Sequence, residues 1–378
     1  MRNSSTGGSV WFLSTHSAEG GVLELWKNLQ SGFTLSGLPA EVVAIYAGAE
    51  TNRHLTVRYL MGGQARNWLT ILKALYKLTV TIRKERPSTI FCAMPLANIL
   101  APLAVALSGG GTRVVVTHHV PMSSLRAASR QLDRIVSASK FVYRVVCVSK
   151  AVADTAPQDS SAYRAKTLVI HNALPPEVER IIQRLAARFQ GRRSHGRIVV
   201  ASGRLSPQKN IEALVQAAVF MPDVTIKIIG NGPDIDHLTR LAQRLRVTDR
   251  LQFVGFQPRE AVIEMLAGSD VFVQPSLYEG HSLALIEAAK LGIPLVVSNV
   301  PSQLEAVTAP DGLVCASIID PNDSAGLAAA ILALLDSTDL YLASAERARL
   351  LGAECNFDGM LSSYRQLTQE NRGLGALD

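Results

Sequence analysis

"DVFVQPSLYEGHSLALIEA", Asp270 to Ala288, carries the reading of the fold. An apolar run rich in β-branched and aromatic residues ends at Pro275, a short loop holds Glu279, Gly280 and His281, and from Ser282 apolar residues recur at helical spacing. A strand that is apolar on both faces belongs in a parallel sheet covered on both sides, and strand–loop–helix is the unit from which such sheets are built. The unit repeats in both directions. Downstream come "PLVVS", "GLVCAS" and the helical "AGLAAAILALLD"; upstream come "LQFVG", "VTIKIIG" and "RIVVASG", separated by "REAVIEMLAG", "IDHLTRLAQRL" and "NIEALVQAAVF". The front half follows suit with "VWFLS", "EVVAIYA", "TIFCA", "RVVVT", "RVVCVS" and "TLVI". At 378 residues the chain exceeds the usual reach of one core. The expected fold class is therefore α/β, with two doubly wound, Rossmann-like parallel-sheet domains. Periodicity breaks at "NALPPEVE" and polarity rises at "RFQGRRSHG", which places a linker at 173–195 and divides the chain into 1–180 and 181–354. "NFDGMLSSYRQLTQ" reads as a last helix.

With 48% hydrophobic and 18% charged residues, both domains can bury a core. Cys92, Cys147, Cys315 and Cys355 are far apart and form no C-x-x-C, which argues against a disulfide framework or a thiolate zinc site and fits a reducing cytosol. The polar start "MRNSSTGGS", followed only by "VWFL", lacks the pattern of a secretion signal. Pro87 to Thr112 carries no charged side chain and is long enough to suggest a membrane span. Pro95, Asn98 and Pro102 interrupt it, however, and it parses as a buried strand, Thr89 to Ala93, and a buried helix, Leu96 to Leu107. The net charge of +7 is uneven: up to Arg180 there are 20 Lys+Arg against 10 Asp+Glu, and beyond it 18 against 21. That basic front half, with the amphipathic "NWLTILKALYKLTVTIRK", suits an anionic membrane surface as well as a core-facing helix. Nucleic acid is not an expected partner, since aromatics are only 6% and no helix-turn-helix, zinc-finger or RNP pattern appears.

In open parallel sheets ligands bind beyond the carboxyl ends of the strands. The backbone N–H groups of His281, Ser282 and Leu283 would open a helix after Gly280 and face an anion such as a phosphate. Glu287 would stand about 7 Å up that helix, where a carboxylate accepts hydrogen bonds from vicinal hydroxyls, and Glu279 would reach the far side of the phosphates. "VVASGRLSPQKNIEALV" puts Arg204 and Lys209 in a second such loop, two cations for a diphosphate, with Asn210 as the expected N-cap. "IIGNGPDID" adds Gly230 and Gly232 where backbone turns tightly or passes close to a ligand. Ile235 stands where a dinucleotide fingerprint needs a third glycine, and Asp234 and Asp236 suit a helix start without any metal.

In order and spacing, "GRLSPQKN", "IIGNGP" and "EGHSLALIE" resemble the retaining glycosyltransferases of family 4, which have the GT-B fold of two such domains facing across a cleft. The first matches G-R-L-x-x-x-K and the last E-x7-E; "AEGGVLEL", "VVVTHHV", "VVCVSKAVAD" and "VIHNAL" are similar to front-half elements of the family. The resemblance implies that Arg204 and Lys209 bind the donor diphosphate, Glu287 the ribose, and Glu279 the donor sugar. It implies that Gly20 and Gly21 face the phosphates from the first domain, and that His119, with His118 as the alternative, lies near the reacting sugar. It also implies that the last helix, within 355–378, packs back on the first domain. Where the family often reads E-G-F-G-L-P, this chain has Glu279, Gly280, His281, Ser282, Leu283 and Ala284, which leaves the sugar pocket less predictable.

The expected activity is retaining transfer of a hexosyl group from a UDP- or GDP-linked donor to an acceptor hydroxyl, with no bound metal and no separate cofactor. The expected acceptor is a glycan of lipid-linked or lipopolysaccharide type, as in polysaccharide biosynthesis. The expected place is the cytoplasm, peripheral to the inner face of the membrane. Two alternatives stay open: a nucleotide-sugar epimerase or hydrolase of the same fold, which would convert the donor without an acceptor, and a non-catalytic sugar-nucleotide-binding protein.

Overall fold

A computed structural model describes residues 8–17, 21–47, 56–64, 67–157, 160–189 and 196–369. The chain forms two compact units, one from the residues up to His171 together with those from Asp358 on, the other from Asn172 to Phe357.

Unit 1 runs β1 (Val10–His16), α1 (Gly21–Leu35), β2 (Ala40–Tyr46), β3 (Val57–Met61), α2 (Trp68–Glu85), β4 (Thr89–Ala93), α3 (Pro95–Leu107), β5 (Arg113–His118), α4 (Ala127–Ala138), β6 (Arg144–Cys147), α5 (Lys150–Asp154), α6 (Ser161–Arg164) and β7 (Thr167–Val169). Among the described residues its sheet has seven strands, all paired in parallel, in the order β3-β2-β1-β4-β5-β6-β7. Alternation along each strand loads both faces. Trp11 and Leu13 of β1 join Ile90, Cys92, Val114 and Val116 in the core beneath α2 and α3. Phe12, between them in sequence, faces the other way into an aromatic cluster with Phe91 at 5.3 Å, Trp26 at 5.2 Å and Phe33 at 5.4 Å between ring centroids. The uncharged stretch from Pro87 to Thr112 is β4 and α3, and no single helix among the described residues is long and apolar enough to cross a membrane. Arg58 interrupts the apolar pattern of β3, which the pattern of the sequence does not announce. As an edge strand, β3 keeps Arg58 in ion pairs with Glu41 at 3.3 Å and Glu85 at 2.7 Å.

Unit 2 runs α7 (Pro176–Phe189), β8 (Ile198–Ser202), α8 (Ile211–Ala217), β9 (Thr225–Ile229), α9 (Ile235–Leu245), β10 (Leu251–Gly255), α10 (Arg259–Ala267), β11 (Val271–Gln274), α11 (Leu283–Leu291), β12 (Leu295–Ser298), α12 (Pro301–Val307), β13 (Ser317–Ile319), α13 (Ser324–Asp336) and α14 (Thr338–Ala353). Its strands are parallel in the order β10-β9-β8-β11-β12-β13. The order reverses between β8 and β11, so the loops after those two strands open at the same point of the sheet edge.

Two expectations need correction. A boundary after residue 180 would cut α7, which belongs wholly to unit 2 because Val178, Ile182 and Leu185 are buried against Ile263 and Ile286. "GLVCAS" is mostly irregular and not a strand: before Ser317 only Val314 pairs, in an isolated antiparallel bridge with Thr308. Gly312, at φ +86°, and the hydrogen bond from Ala309 N–H to the Leu313 carbonyl fold the chain back there, and β13 begins only at Ser317. The last helix, α15 (Phe357–Gln369), packs in unit 1: Tyr364 is fully buried with its ring 5.3 Å from Phe91, and the Arg113 guanidinium donates to the Thr368 carbonyl.

Candidate functional site

The loop after β8 and the loop after β11 are stitched together side chain by side chain. Lys209 places its ammonium 2.7 Å from Glu279 Oε1, and the same oxygen accepts the Ser276 hydroxyl at 2.6 Å. Gln208 donates to the Tyr278 carbonyl at 3.1 Å and to Glu279 Oε2 at 3.4 Å, while Leu277 N–H donates to the Gln208 carbonyl. Glu279 is thereby a buried carboxylate, only 5% exposed, surrounded by donors. Arg204 is exposed and has no hydrogen bond or ion pair from its side chain among the described residues. Asn210 does not cap α8. It adopts a left-handed conformation, and its amide nitrogen donates instead to the carbonyls of Pro275 at 3.1 Å and Pro321 at 2.8 Å.

The glycines of the third loop serve backbone, as a tight approach requires. A Cβ on Gly230 would lie 2.0 Å from the Gly203 carbonyl oxygen, and one on Gly232 would lie 2.1 Å from that of Leu205. Those gaps admit no side chain. Hydrogen bonds from Gly203 N–H to Ile229 O and from Leu205 N–H to Asn231 O, both 3.0 Å, lock the two loops. Gly203, at φ +147°, has the Lys209 chain packed over it, with Cε 3.1 Å from where a Cβ would stand. Gly230 and Gly232 thus let the loop after β9 lie directly against the backbone of the loop after β8.

α11 begins at Leu283 with Ser282 as its cap: the Ser282 hydroxyl accepts from Leu285 N–H at 3.4 Å and donates to Gln274 Oε1 at 2.8 Å. The first-turn amides of Leu283 and Ala284 lie beyond intrahelical reach, as at any helix start, and carry the positive end of the dipole. Gly280 is buried, and the His281 carbonyl is held by Asn172 Nδ2 at 2.8 Å. Glu287, 2% exposed, is ion-paired with Arg259 at the start of α10. The carboxylate pair expected from E-x7-E is therefore present, but each acid has a cation beside it. Sequence reasoning missed Arg259, Gln208, Ser276, Asn172 and Gln274. Only the G of G-R-L hinted at Gly203; Arg259, Gln208 and Asn172 meet partners 28, 71 and 109 residues away, and Ser276 and Gln274, though near Glu279 and Ser282 in sequence, belong to no pattern that marks them.

In unit 1 the two histidines separate. His118 is buried, with Nε2 2.9 Å from the Tyr163 hydroxyl and 3.4 Å from Asp133 Oδ1, and Ser137 donates to the same Asp133 oxygen. It is part of the packing. His119 keeps part of its surface exposed, while most of the residue is covered. Its Nε2 lies 2.9 Å from Thr117 Oγ1, whose single proton goes to the Cys92 carbonyl, also at 2.9 Å. Thr117 must then accept, so Nε2 of His119 carries the hydrogen and Nδ1 is the ring's acceptor. Burial, and secondarily the neighbouring His118, pushes the pKa of His119 from 6.5 down to about 3, so the ring is neutral. Its edge meets Trp26 of α1 at 5.8 Å between centroids. Gly21 opens that same helix and is exposed, with nothing among the described residues within 4 Å of a would-be Cβ. Gly20 lies outside the described residues.

Comparison with known proteins bears on the family and the fold. The model described as glycosyl transferases group 1 matches residues 183–351, and that described as Glycosyltransferase Family 4 matches residues 36–178. The D-inositol 3-phosphate glycosyltransferase of Mycolicibacterium smegmatis is 29% identical over 74% of this chain and 64% of its own length. The UDP-Gal:alpha-D-GlcNAc-diphosphoundecaprenol alpha-1,3-galactosyltransferase of Escherichia coli is 27% identical over 61% of this chain and 62% of its own. The chain thus spans less than two thirds of the length of these curated relatives. Among solved structures, HepE of Anabaena in complex with UDP and glucose superposes with a TM-score of 0.79 at 19% identity, covering 96% of this chain and 100% of that one. Sucrose-phosphate synthase of Thermosynechococcus elongatus gives 0.78 at 18% identity, over 95% and 98%. Two family models between them account for most of the sequence, and the chain belongs to the family 4 glycosyltransferases, with the GT-B fold.

Proposed function

We propose that this chain transfers a hexosyl group, with retention of configuration, from a nucleotide diphosphate donor to an acceptor hydroxyl. The observation that carries the reading is the 2.7 Å contact between Lys209 and Glu279, which joins the two loops flanking the switch point of unit 2. An ammonium has three donors, so Lys209 can hold Glu279 and a phosphate oxygen together, with Arg204 and the first-turn amides of α11 supplying the rest of the diphosphate's contacts. A carboxylate offers about four acceptor positions, so Glu287 can pair with Arg259 and still receive ribose hydroxyls. Glu279, fixed by Lys209, Ser276 and Gln208, is the acid for the donor sugar's hydroxyls.

As the sugar departs, negative charge grows on the diphosphate, where the two cations and the helix dipole stabilise it more than in the ground state. The leaving phosphate oxygen takes up the acceptor proton on the face it vacates, and the same-face attack preserves configuration. His119, neutral and bearing hydrogen on Nε2, is the histidine of unit 1 assigned to the sugar; His118 is committed to Tyr163 and Asp133. No bound metal enters this scheme. UDP is the favoured nucleotide, because HepE is a structural neighbour solved with UDP and glucose. The acceptor is a glycan, lipid-linked or of lipopolysaccharide type, at the cytoplasmic membrane face. The resemblance to an enzyme named for a diphosphoundecaprenol substrate supports that class.

The test is a thermal-shift panel of UDP-, GDP-, ADP- and dTDP-sugars followed by transfer assays. A donor at 100 times its Kd adds about 2.7 kcal/mol of stability. If no nucleotide sugar moves the melting curve at millimolar concentration, the donor site is misassigned. If a donor binds and is converted equally fast without acceptor, the chain is an epimerase or hydrolase; binding without turnover leaves a sugar-nucleotide-binding protein.

A further inference from the structure

α2 has two apolar faces, and the fold uses one. Ala74, Leu78 and Ile82 are buried in the core of unit 1. On the opposite side Trp68, Leu72, Tyr76 and Val80, each four residues after the last, are 67%, 52%, 73% and 47% exposed. At 3.6 residues per turn these four make a stripe roughly opposite the buried one. Lys73, Lys77 and Lys84 are exposed along one margin of it, and none of their ammonium groups has a hydrogen bond or ion pair among the described residues. The single acid of α2, Glu85, is taken by Arg58 at 2.7 Å. A groove of about 890 Å³ runs alongside, lined by Leu72, Tyr76 and Val80 together with the three lysines.

Core packing accounts for the inner face and leaves the outer one unexplained. A helix with an aromatic and aliphatic stripe and a cationic margin suits the boundary between acyl chains and headgroups, where the apolar side chains enter and the ammonium groups stay with lipid phosphates. We propose that the outer face of α2 docks this chain on an anionic lipid bilayer, with the helix lying in the plane of the headgroups. The charge complement selects lipid: three lysines face a single carboxylate along this margin, and that carboxylate, Glu85, is paired with Arg58, which it shares with Glu41. This deepens the membrane-facing part of the proposed function. Vesicle binding needs neither donor nor turnover, so the two readings fail separately.

The molecule carries its own reporter. Of its three tryptophans, Trp11 and Trp26 are fully buried and Trp68 faces solvent. Vesicles of phosphatidylglycerol and phosphatidylcholine in equal parts should shift its emission to the blue and sediment the full chain, whereas phosphatidylcholine alone should do so far less. Added salt should weaken the effect. Trp68→Phe should abolish the shift while leaving sedimentation. Combined Lys73→Glu, Lys77→Glu and Lys84→Glu should lower partitioning by at least roughly fivefold for each charge. Leu72→Ser with Tyr76→Ser should lower it with the melting temperature unchanged. Wild-type chain that neither sediments nor shifts overturns the proposal, as does a lysine triple variant or a Leu72→Ser, Tyr76→Ser variant that partitions like wild type. A blue shift that instead grows with protein concentration in the absence of lipid, and is lost in Leu72→Ser, makes the occupant a second copy and equally overturns it. Absent vesicle binding alongside a donor-induced thermal shift leaves the donor site standing, and the reverse leaves the docking face standing.

Discussion

Lys209 and Glu279 depend on each other: each sits in a poorly hydrated position whose charge the other neutralises. Lys209→Ala should therefore abolish the donor-induced thermal shift and lower transfer by about 10²–10³-fold, the usual effect of removing one preorganised charge stabiliser. Nucleotide titration of the variant checks this. Gly230→Ala drives a methyl group into the Gly203 carbonyl, 2.0 Å away, and should cost about 2 kcal/mol or more in urea unfolding. His119 has its pKa depressed to about 3, so between there and 6.5 the unfolded chain binds the proton first. Its contribution to stability is complete above pH 6.5 and is lost as pH falls toward 3. Denaturation at pH 7 and at pH 5 should show a smaller loss in His119→Gln than in wild type. At this scale the acids were legible, because a glutamate in a strand-to-helix loop and another up the helix form a pattern that spacing alone reveals. Their partners were not. Arg259 meets Glu287 across 28 residues of sequence, and Asn172 meets His281 across 109. Such pairings are created by the sheet order, which no local window contains.

Elements that are apolar on both faces are the easiest to recognise, and β1, β4, β5, β8 and β11 all show themselves as such. Elements that are half solvated are harder. β3 alternates around Arg58, and α7 carries "EVERIIQR", in which the buried Val178 and Ile182 are diluted by charge. The turn at 309–316 misleads in the opposite sense, since "GLVCAS" is apolar enough for a strand while Gly312 reverses the chain. α2 is set off by a reciprocal cap, in which Thr70 N–H donates to Asn67 Oδ1 at 3.0 Å and Asn67 N–H to Thr70 Oγ1 at 3.2 Å. Asn67→Ala should lower stability by about 1 kcal/mol. Hydrogen exchange should show the first turn of α2 opening more often, with Trp68 emission on lipid changing in step.

Two units with separate cores predict two unfolding events. In scanning calorimetry, a nucleotide sugar should raise the transition of unit 2 more than that of unit 1, since Lys209, Glu279 and Glu287 all lie in unit 2. Tyr364→Ala should do the reverse, removing a fully buried ring from unit 1 at about 3–5 kcal/mol and leaving the transition of unit 2 in place. The contact between Phe91 and Tyr364 also constrains biosynthesis. A ribosome must deliver the whole of the second core before the helix that seals the first one exists. Nascent chains arrested before residue 357 should therefore hold an open aromatic pocket beside a finished neighbour, the inverse of amino-to-carboxyl maturation, and this is where a chaperone would be needed.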